Sequence, residues 1–304
     1  MPLDPVAEAM LKQMAEAGGP AITDVPPTEA RAMYKAMQST AVIEQVHSQE
    51  DRSANGVPVR VYSASDEVTP CIVYLHGGGW VIGDLDTHDT ICTQLTNATG
   101  YTVVSVDYRL APEDPFPAPL DDSYTGLCWV QENAAMLNID PSKIAVAGDS
   151  AGGNLAAAVC LKARAEDNTG IAFQLLLYPV IDFNFDTQSY IDNAEGYLLT
   201  REGMRWFWDH YIGHDNSGSH PMASPIREKD LSGLPPACIL TAEFDPLRDE
   251  GEVYAAALEA AGVPTVMKRY DGMIHGFFGM TDTIEGARQA LTFSADELRK
   301  ALGH

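Results

Sequence analysis

The segment Gly148-Asp149-Ser150-Ala151-Gly152 constrains the fold of this chain more than any other segment. An apolar run of strand length, residues 144–147, precedes it, and a run of small residues typical of a helix, 154–159, follows it. A serine at such a strand–turn–helix corner sits on a strained turn with its hydroxyl exposed above a sheet, and the flanking glycines let helix and strand cross closely. We therefore predict that Ser150 is a nucleophile; the alternative is a turn with a purely structural role.

A glycine-rich loop follows a second strand-like run. Residues 72–75 are apolar, and His76-Gly77-Gly78-Gly79-Trp80 comes directly after them. Consecutive glycines let the backbone turn its N–H groups into one concavity, which suits a developing oxyanion. The predicted donors are the amides of Gly77, Gly78 and Ala151. A phosphate-binding loop and a plain glycine turn are the alternatives, but the glycine patterns of nucleotide-binding loops do not follow.

Attack by a serine needs a base, and the base needs an acid that orients it. Three acidic residues, Glu243, Asp245 and Asp249, follow the strand-like run 237–242. Asp245 is the preferred acid because it lies just beyond the strand end, where active-site loops of α/β sheets gather. Glu243 lies earlier, and Asp249 is expected to begin the next helix. His275 follows a later strand-like run and is the predicted base, which gives the chain order serine, acid, histidine.

In these motifs the chain resembles the hormone-sensitive-lipase-like carboxylesterases, also called bacterial family IV esterases. The resemblance implies an α/β-hydrolase fold, with a mostly parallel central sheet flanked by helices and with a helical cap. It also implies hydrolysis of carboxylic esters, typically of short or medium acyl chains, with Asp245 as the acid. The motifs that carry the resemblance are the glycine loop at 76–80, Asp107-Tyr108-Arg109-Leu110-Ala111-Pro112-Glu113, the serine corner at 148–153, Asp245-Pro246-Leu247-Arg248-Asp249-Glu250 and His275-Gly276-Phe277.

The predicted reaction needs only this chain and a small-molecule ester. His275 would take the proton of Ser150, an acyl-enzyme would form, and water would release the acid. No cofactor or metal is required, and no zinc-site spacing occurs in the sequence. A binding protein of the same family is one alternative, since plant gibberellin receptors keep the pocket but lose the catalytic histidine. A peptidase or amidase is the other, although peptidase relatives usually carry a large extra domain.

Strand-like and helical patterns alternate along the chain, which favours a mostly parallel sheet covered by helices on both faces. Asn55-Gly56 is typical of a two-residue hairpin turn and is expected to join the runs 42–46 and 57–61. Pro58 predicts that the second of these strands lies at an edge of the sheet. Further strands are expected near Ile72, Val103, Ile144, Leu175, Ile239 and Val266, and helices over 5–17, 27–38 and 285–302 and near Ile91, Leu127, Ala157 and Tyr254.

The stretch 180–236 is longer than a single crossover helix requires. Within it, four bulky side chains share one face of a helix that follows Thr200: Met204, Phe207, Trp208 and Tyr211. Either this face packs on the body of the protein, or part of the stretch covers the site as a lid together with the N-terminal helices. Pocket lining is a hypothesis for four side chains, with core packing as the alternative: Trp80, Met33, Met37 and Phe207.

The resemblance indicates that the cap is built from two separate segments. We expect an N-terminal helical cap segment over 1–50, a first part of the core over 51–181, a cap insertion over 182–222 and a second part of the core over 223–304. Asp107-Tyr108-Arg109 is interpreted as a support of the glycine loop, because a reacting site needs locked neighbours. Asp149 and Glu195 receive no role.

The chain of 304 residues carries 43 acidic and 19 basic residues, a formal net charge of −24. Such an excess argues against nucleic acid and anionic membranes as partners, because both attract positive surfaces. A well-solvated surface explains the excess, and adaptation to a salty habitat is the alternative, since salt screens self-repulsion.

The sequence favours a cytoplasmic location. No apolar run is long enough to span a bilayer, and the N-terminus lacks the basic region and apolar core of a signal peptide. Five cysteines without short paired spacings indicate reduced, buried thiols: Cys71, Cys92, Cys128, Cys160 and Cys238. A homodimer is left open.

Overall fold

The computed structural model describes residues 1–39, 42–213 and 217–303 and is built around one eight-stranded sheet. The strands span Ser48–Ala54 (β1), Val57–Ser63 (β2), Thr69–Leu75 (β3), Thr102–Val106 (β4), Ile139–Asp149 (β5), Phe173–Leu177 (β6), Ala237–Phe244 (β7) and Thr265–Ile274 (β8). Their order across the sheet is β1-β2-β4-β3-β5-β6-β7-β8. β2 is antiparallel to both of its neighbours and the other neighbouring pairs are parallel, which confirms the predicted sheet.

The predicted helices are confirmed. The first begins as the sequence indicates, because the Asp4 carboxylate accepts hydrogen bonds from Val6 N and Ala7 N at 2.8 and 3.2 Å, and Pro5 occupies the first turn. The helices span Pro5–Ala17 (α1), Pro27–Gln38 (α2), Asp89–Thr99 (α3), Ala118–Glu132 (α4), Ala151–Ala165 (α5), Gln188–Asp192 (α6), Arg201–Ile212 (α7), Arg248–Ala260 (α8) and Glu285–Leu302 (α9).

The sheet separates two apolar layers. Successive side chains of a strand point to opposite faces, and in β3 Val73 and Leu75 pack in one layer whereas Ile72 and Tyr74 pack in the other. Residues of α4, α5 and α8 complete the first layer, and residues of α3 and α9 complete the second. Both faces of the sheet are therefore covered, and the carboxyl ends of the parallel strands are left to carry a site.

The N-terminal hairpin differs from the prediction in two respects. Its turn, Asn55-Gly56, is correct and has positive φ at both residues, but the first strand begins at Ser48 rather than within 42–46. The two-residue turn fixes the register at Ala54–Val57, so pairing ends at Ser48–Ser63. The edge prediction from Pro58 is wrong, because β1 is the edge strand and β2 lies inside. Pro58 is tolerated because it lies beyond the β2–β4 pairing, which covers 59–62 of β2.

The long stretch between β6 and β7 contains α6 and α7. The predicted apolar face of α7 is confirmed, since Met204, Phe207, Trp208 and Tyr211 are all buried. The Thr200 side chain accepts a hydrogen bond from Gly203 N and begins this helix. In the described ranges no helix is long and apolar enough to cross a membrane.

Candidate active site

Ser150 lies on the sharp corner between β5 and α5. Its backbone has φ 55° and ψ −118°, a conformation rarely adopted by residues other than glycine, and Ser150 N donates to Leu177 O at 2.9 Å. A Cβ on Gly152 would lie 1.9 Å from Leu75 O. The corner therefore needs glycine beside the serine, and it fixes the hydroxyl at the carboxyl edge of the sheet.

Three side chains from the ends of β5, β7 and β8 form one hydrogen-bonded chain. Ser150 Oγ lies 2.9 Å from His275 Nε2, and His275 Nδ1 lies 2.7 Å from Asp245 Oδ2. Asp245 is wholly buried, and its Oδ1 accepts a hydrogen bond from Leu247 N at 2.9 Å. A carboxylate at Nδ1 holds the proton on that nitrogen, so Nε2 is free to accept the serine proton.

The rival acids have other partners. Glu243 Oε1 contacts the N-terminal ammonium at 2.6 Å, and its Oε2 accepts from Gly272 N at 2.7 Å. Asp249 Oδ2 accepts from Ser189 N at 2.7 Å. Among the residues that the structure describes, no group of three or more His, Cys, Asp or Glu side chains is placed to hold a metal ion.

The glycine loop packs against the serine corner, but the structure contradicts the predicted role of Gly77. Its N–H donates to Asp149 Oδ1 at 2.9 Å, and His88 Nε2 lies 3.2 Å away, so this amide is already occupied. The next two residues have positive φ, 112° at Gly78 and 57° at Gly79. Within ranges 1–39, 42–213 and 217–303, neither of their N–H groups has a protein acceptor.

Asp149 is the centre of a buried polar network that the sequence did not predict. Its Oδ1 also accepts from the Tyr74 hydroxyl at 2.7 Å, and His88 Nε2 lies 3.4 Å from it. Burial alone raises the pKa of Asp149, but the His88 charge and the hydrogen bonds from His88 and Tyr74 outweigh burial and hold it below its ordinary value. The carboxylate is thus ionised where it binds Gly77. His88 and Tyr74 meet it only through the tertiary fold, so no local pattern identifies them.

The loop is also supported from its other side. The His76 and Tyr108 rings stack with centroids 4.2 Å apart, and the Tyr108 hydroxyl donates to His76 O at 2.6 Å. Burial lowers the pKa of His76 to about 4, so its imidazole is neutral at neutral pH. Of the three predicted supports, only Tyr108 contacts the glycine loop in the part of the chain that the structure describes. Arg109 binds Asp122 instead, at 2.8 Å. Burial raises the pKa of Asp107 to about 6.

Comparison with known proteins places this geometry in a family. A family model described as the alpha/beta hydrolase fold matches residues 72–279. The chain belongs to the α/β-hydrolase family. This hydrolase is 43% identical over 251 residues to the carboxylesterase NlhH of Mycobacterium tuberculosis, with 81% of this chain and 79% of that protein covered.

Two further similarities extend over the whole length. The ethyl acetate hydrolase of Pseudomonas putida is 34% identical over 321 residues, with 99% of this chain and 100% of that protein covered. The structure of a hyperthermophilic esterase from Pyrobaculum calidifontis superposes with a TM-score of 0.93 at 39% identity, and 99% of each chain is covered. The resemblance to the hormone-sensitive-lipase-like carboxylesterases is confirmed.

The four predicted pocket side chains of this hydrolase lie in different environments. Phe207 packs directly on the glycine loop, since a Cβ on Gly79 would lie 2.1 Å from its ring. Trp80 is wholly buried and stacks on Tyr211 with centroids 4.0 Å apart, so it belongs to the core rather than to a pocket wall. Met37 is 52% exposed, which contradicts a lining role, and Met33 is partly buried on the same helix.

Three side chains near the site were missed by sequence reasoning. The Tyr178 ring meets the His275 ring edge-on with centroids 4.9 Å apart, and its backbone φ is 35°. Leu198 of the insertion approaches His275-Gly276-Phe277, which we call the histidine loop, because its Cδ2 would lie 3.7 Å from a Cβ on Gly276. The Tyr34 ring of α2 lies 6.3 Å from the His88 ring. Tyr34 lies on the side of α2 that faces the protein, and Met37 lies on the side that faces solvent. Residue spacing alone does not fix this rotation of the helix about its axis.

Proposed function

We propose that this hydrolase is a serine carboxylesterase that works through an acyl-enzyme intermediate. The observation that carries the proposal is the hydrogen-bonded chain from Ser150 through His275 to Asp245. A serine hydroxyl is a weak nucleophile until an adjacent base takes its proton. The 2.9 Å contact puts His275 Nε2 within reach of that proton in the resting enzyme.

The reaction proceeds in two halves. Ser150 Oγ attacks the ester carbonyl carbon while His275 Nε2 takes its proton, and the imidazolium then protonates the departing alcohol. Water attacks the acyl-enzyme in the second half, giving its proton to His275, and the serine is regenerated as the carboxylic acid leaves. Asp245 keeps the imidazole oriented and stabilises its cationic form in both halves.

The oxyanion donors of this proposal are the amides of Gly78, Gly79 and Ala151. Gly77 is replaced in the set because Asp149 already occupies its N–H. Ala151 is the first residue of α5, where backbone N–H groups lack intrahelical acceptors. Each donor aimed at the developing charge contributes on the order of 10²-fold or more in kcat.

Small carboxylic esters are the proposed substrates. The names of two similar proteins, a carboxylesterase and an ethyl acetate hydrolase, support this class, and the second supports a short acyl group. Short- to medium-chain esters are therefore the proposed range, with no cofactor.

A cap over the site is part of the proposal. The segments 1–50 and 182–222 would form it, with 51–181 and 223–304 as the core, although β1 already begins at Ser48. Contacts of Phe207 with the glycine loop and of Leu198 with the histidine loop support a covering role for the insertion. Such a cover excludes water and shapes the pocket.

The proposed location is the cytoplasm. The five cysteines are free, and four of them are buried. A protein with free thiols fits a reducing compartment better than an oxidising one. Incubation with reduced glutathione should leave activity unchanged if the protein functions with free thiols, and it should lower activity if the protein functions with disulfides.

Hydrolysis of p-nitrophenyl esters of graded acyl length, beside matched amides, tests the proposed function. We expect rapid turnover of short and medium esters, much slower turnover of amides, and stoichiometric labelling of Ser150 by an organophosphate. Ser150→Ala should remove both turnover and labelling, because triad members act as one unit. Labelling of another serine, or full turnover by a folded Ser150→Ala variant, would contradict the mechanism.

A further inference from the structure

Two segments of the chain meet in a buried polar joint beside the active site. We call residues 245–250 the acid turn. Residues 181–193, which are the last core residue before the insertion and the first part of the insertion, are called the insertion root. Ser189 Oγ donates to Pro246 O at 2.6 Å, and Asn193 Nδ2 donates to Asp245 O at 3.3 Å. Both side chains are buried. The insertion root therefore binds the backbone carbonyl groups of the catalytic acid itself and of the residue that follows it.

The acid turn binds the insertion root in return. Asp249 Oδ2 accepts from Ser189 N at 2.7 Å, and Asp249 N donates to Ser189 Oγ at 3.2 Å. Glu250 Oε1 accepts from Ile181 N at 2.6 Å, at the point where the chain leaves the sheet. With a longer contact from Asp182 N to Glu250 Oε1 at 3.5 Å, six hydrogen bonds cross between segments that are about sixty residues apart in sequence.

A buried polar joint fixes geometry more sharply than an apolar contact does. A buried donor or acceptor that loses its partner is not compensated by water, so only one arrangement satisfies all the groups. The acid turn holds its own carboxylate through the bond from Leu247 N to Asp245 Oδ1. A displacement of the turn therefore moves Asp245 Oδ2 relative to His275 Nδ1.

We infer that Ser189 and Asn193 are positioning residues for the catalytic acid. They act through the backbone of the acid turn, and they keep the Asp245 carboxylate at its 2.7 Å contact with the imidazole. The inference rests on the proposed serine mechanism. Within the insertion it separates Ser189 and Asn193, which position the catalytic acid, from the residues that contact the glycine and histidine loops.

Kinetics of Ser189→Ala test the inference. We expect kcat to fall by about tenfold, because small misplacements of a reacting constellation cost one to two orders of magnitude, while KM changes by less than about twofold. The acid limb of the kcat/KM profile should move to lower pH, because a loosened carboxylate stabilises the imidazolium less. Asn193→Ala should show the same pattern to a smaller extent, and it carries the test if Ser189→Ala does not fold.

Gln188→Ala is the matched control. Gln188 lies on the same short helix and is exposed, and among the described residues its side chain bonds only to Asp192 of that helix, at 2.7 Å. We expect wild-type kcat and an unchanged pH profile for this variant. An equal effect in Gln188→Ala and Ser189→Ala would overturn the inference, because it would reflect loss of the helix rather than loss of the joint.

A double-mutant cycle separates positioning from simple stabilisation. If Ser189 acts through Asp245, then Ser189→Ala should lower kcat much less in an Asp245→Asn background than in the wild type. Additive effects, or a lowered Tm with unchanged kcat and pH profile, would overturn the inference. Failure of the proposed function has a different signature, since Ser150→Ala would then retain turnover.

Discussion

At the scale of single residues, Gly78 shows how backbone conformation and crowding combine in the oxyanion loop. Its φ is 112°, and a Cβ there would lie 2.2 Å from Ile82 O. Gly56 of the hairpin has a similar φ of 101°, but no atom lies within 4 Å of the same position. A side chain at either position would strain the backbone, because both residues have positive φ. Only at Gly78 would it also clash with a neighbouring atom, so a comparison of the two positions separates the effect of strain from the effect of crowding.

We predict that Gly78→Ala lowers kcat by on the order of 10²-fold, because the loop must move to relieve the contact and its N–H groups lose their aim. Gly56→Ala should cost stability without lowering kcat. Steady-state kinetics with circular dichroism on both folded variants measures the difference. Near-normal kcat in Gly78→Ala would contradict the oxyanion assignment.

Glu250 gives a prediction of pH dependence. Burial raises its pKa well above the ordinary value despite the hydrogen bonds from Ile181 and Asp182, and Oε2 has no partner in the described part of the chain. The unfolded chain ionises first as pH rises above about 4.3. Ionisation therefore favours the unfolded state, and the stability that Glu250 contributes at low pH is lost as pH rises toward its folded pKa.

Glu250→Gln removes this titration while keeping the acceptor for Ile181. We expect the Tm of the variant minus that of the wild type to increase steadily from pH 4.5 to pH 8. Glu259→Gln, an exposed change on the same helix, should give a flat difference. Thermal unfolding across this range decides the matter, and a difference that shrinks with pH would show that Glu250 is ionised in the folded state.

At the scale of elements, α2 is attached to the segment that follows the glycine loop by charged side chains. Arg31 Nε donates to Val81 O at 2.8 Å, and its guanidinium forms two hydrogen bonds with Glu113, at 2.6 and 2.9 Å. Lys35 contacts Asp84 and Asp86 at 2.8 and 2.7 Å. These contacts fix the rotation of α2 and with it the direction of Tyr34 toward the site.

Arg31→Met should alter substrate selection more than chemistry. Without its contacts to Val81 and Glu113, α2 should tilt. We expect the ratio of kcat/KM for the octanoate and acetate p-nitrophenyl esters to change by about threefold or more. The kcat for the acetate ester should stay within about twofold of the wild-type value. Lys12→Met is the control, because Lys12 is exposed and, within the described part of the chain, pairs only with Glu16 of its own helix. The same ratio in both variants would argue against a role of α2 in the pocket.

Elements with strong local signals could be predicted from the sequence, and contacts between distant elements could not. The serine corner, α1 with its Asp4 cap and the apolar face of α7 all follow from local patterns. The occupied amide of Gly77 could not be predicted, because Asp149 reaches it only across paired strands. The edge position of β1 is a similar case: its sequence, Ser48–Ala54, is mostly polar, and only the register set by Asn55-Gly56 defines it.

At the scale of the whole molecule, the charge of −24 means that few basic side chains are available to pair with many carboxylates. The single side chain of Arg60, for example, contacts three carboxylates, those of Asp51, Asp86 and Asp89, at 2.6, 2.9 and 3.0 Å. Repulsion among the remaining acidic groups acts over a Debye length that shrinks from about 30 Å at 0.01 M salt to about 3 Å at 1 M. Screening should therefore stabilise the folded state.

We predict that Tm at pH 8 rises by several degrees between about 0.01 M and 1 M NaCl. KCl should act like NaCl, because screening depends on ionic strength and not on a specific ion. Differential scanning calorimetry in both salts measures the effect. A Tm that falls with salt would mean that the surface ion pairs outweigh the repulsion.

The two outer strands of the sheet also determine how this molecule behaves beside its own copies. β1 exposes Glu50, Asp51 and Arg52, and β8 carries Lys268 and Arg269 near the middle of its length. An unpaired strand edge is a template for adding strands from other chains, and charged side chains on the edge oppose such addition. β1 therefore protects its open end of the sheet against amyloid-like growth. At β8 the protection is weaker, because Val266 and Met267, which precede the two cations, are 41% and 40% exposed.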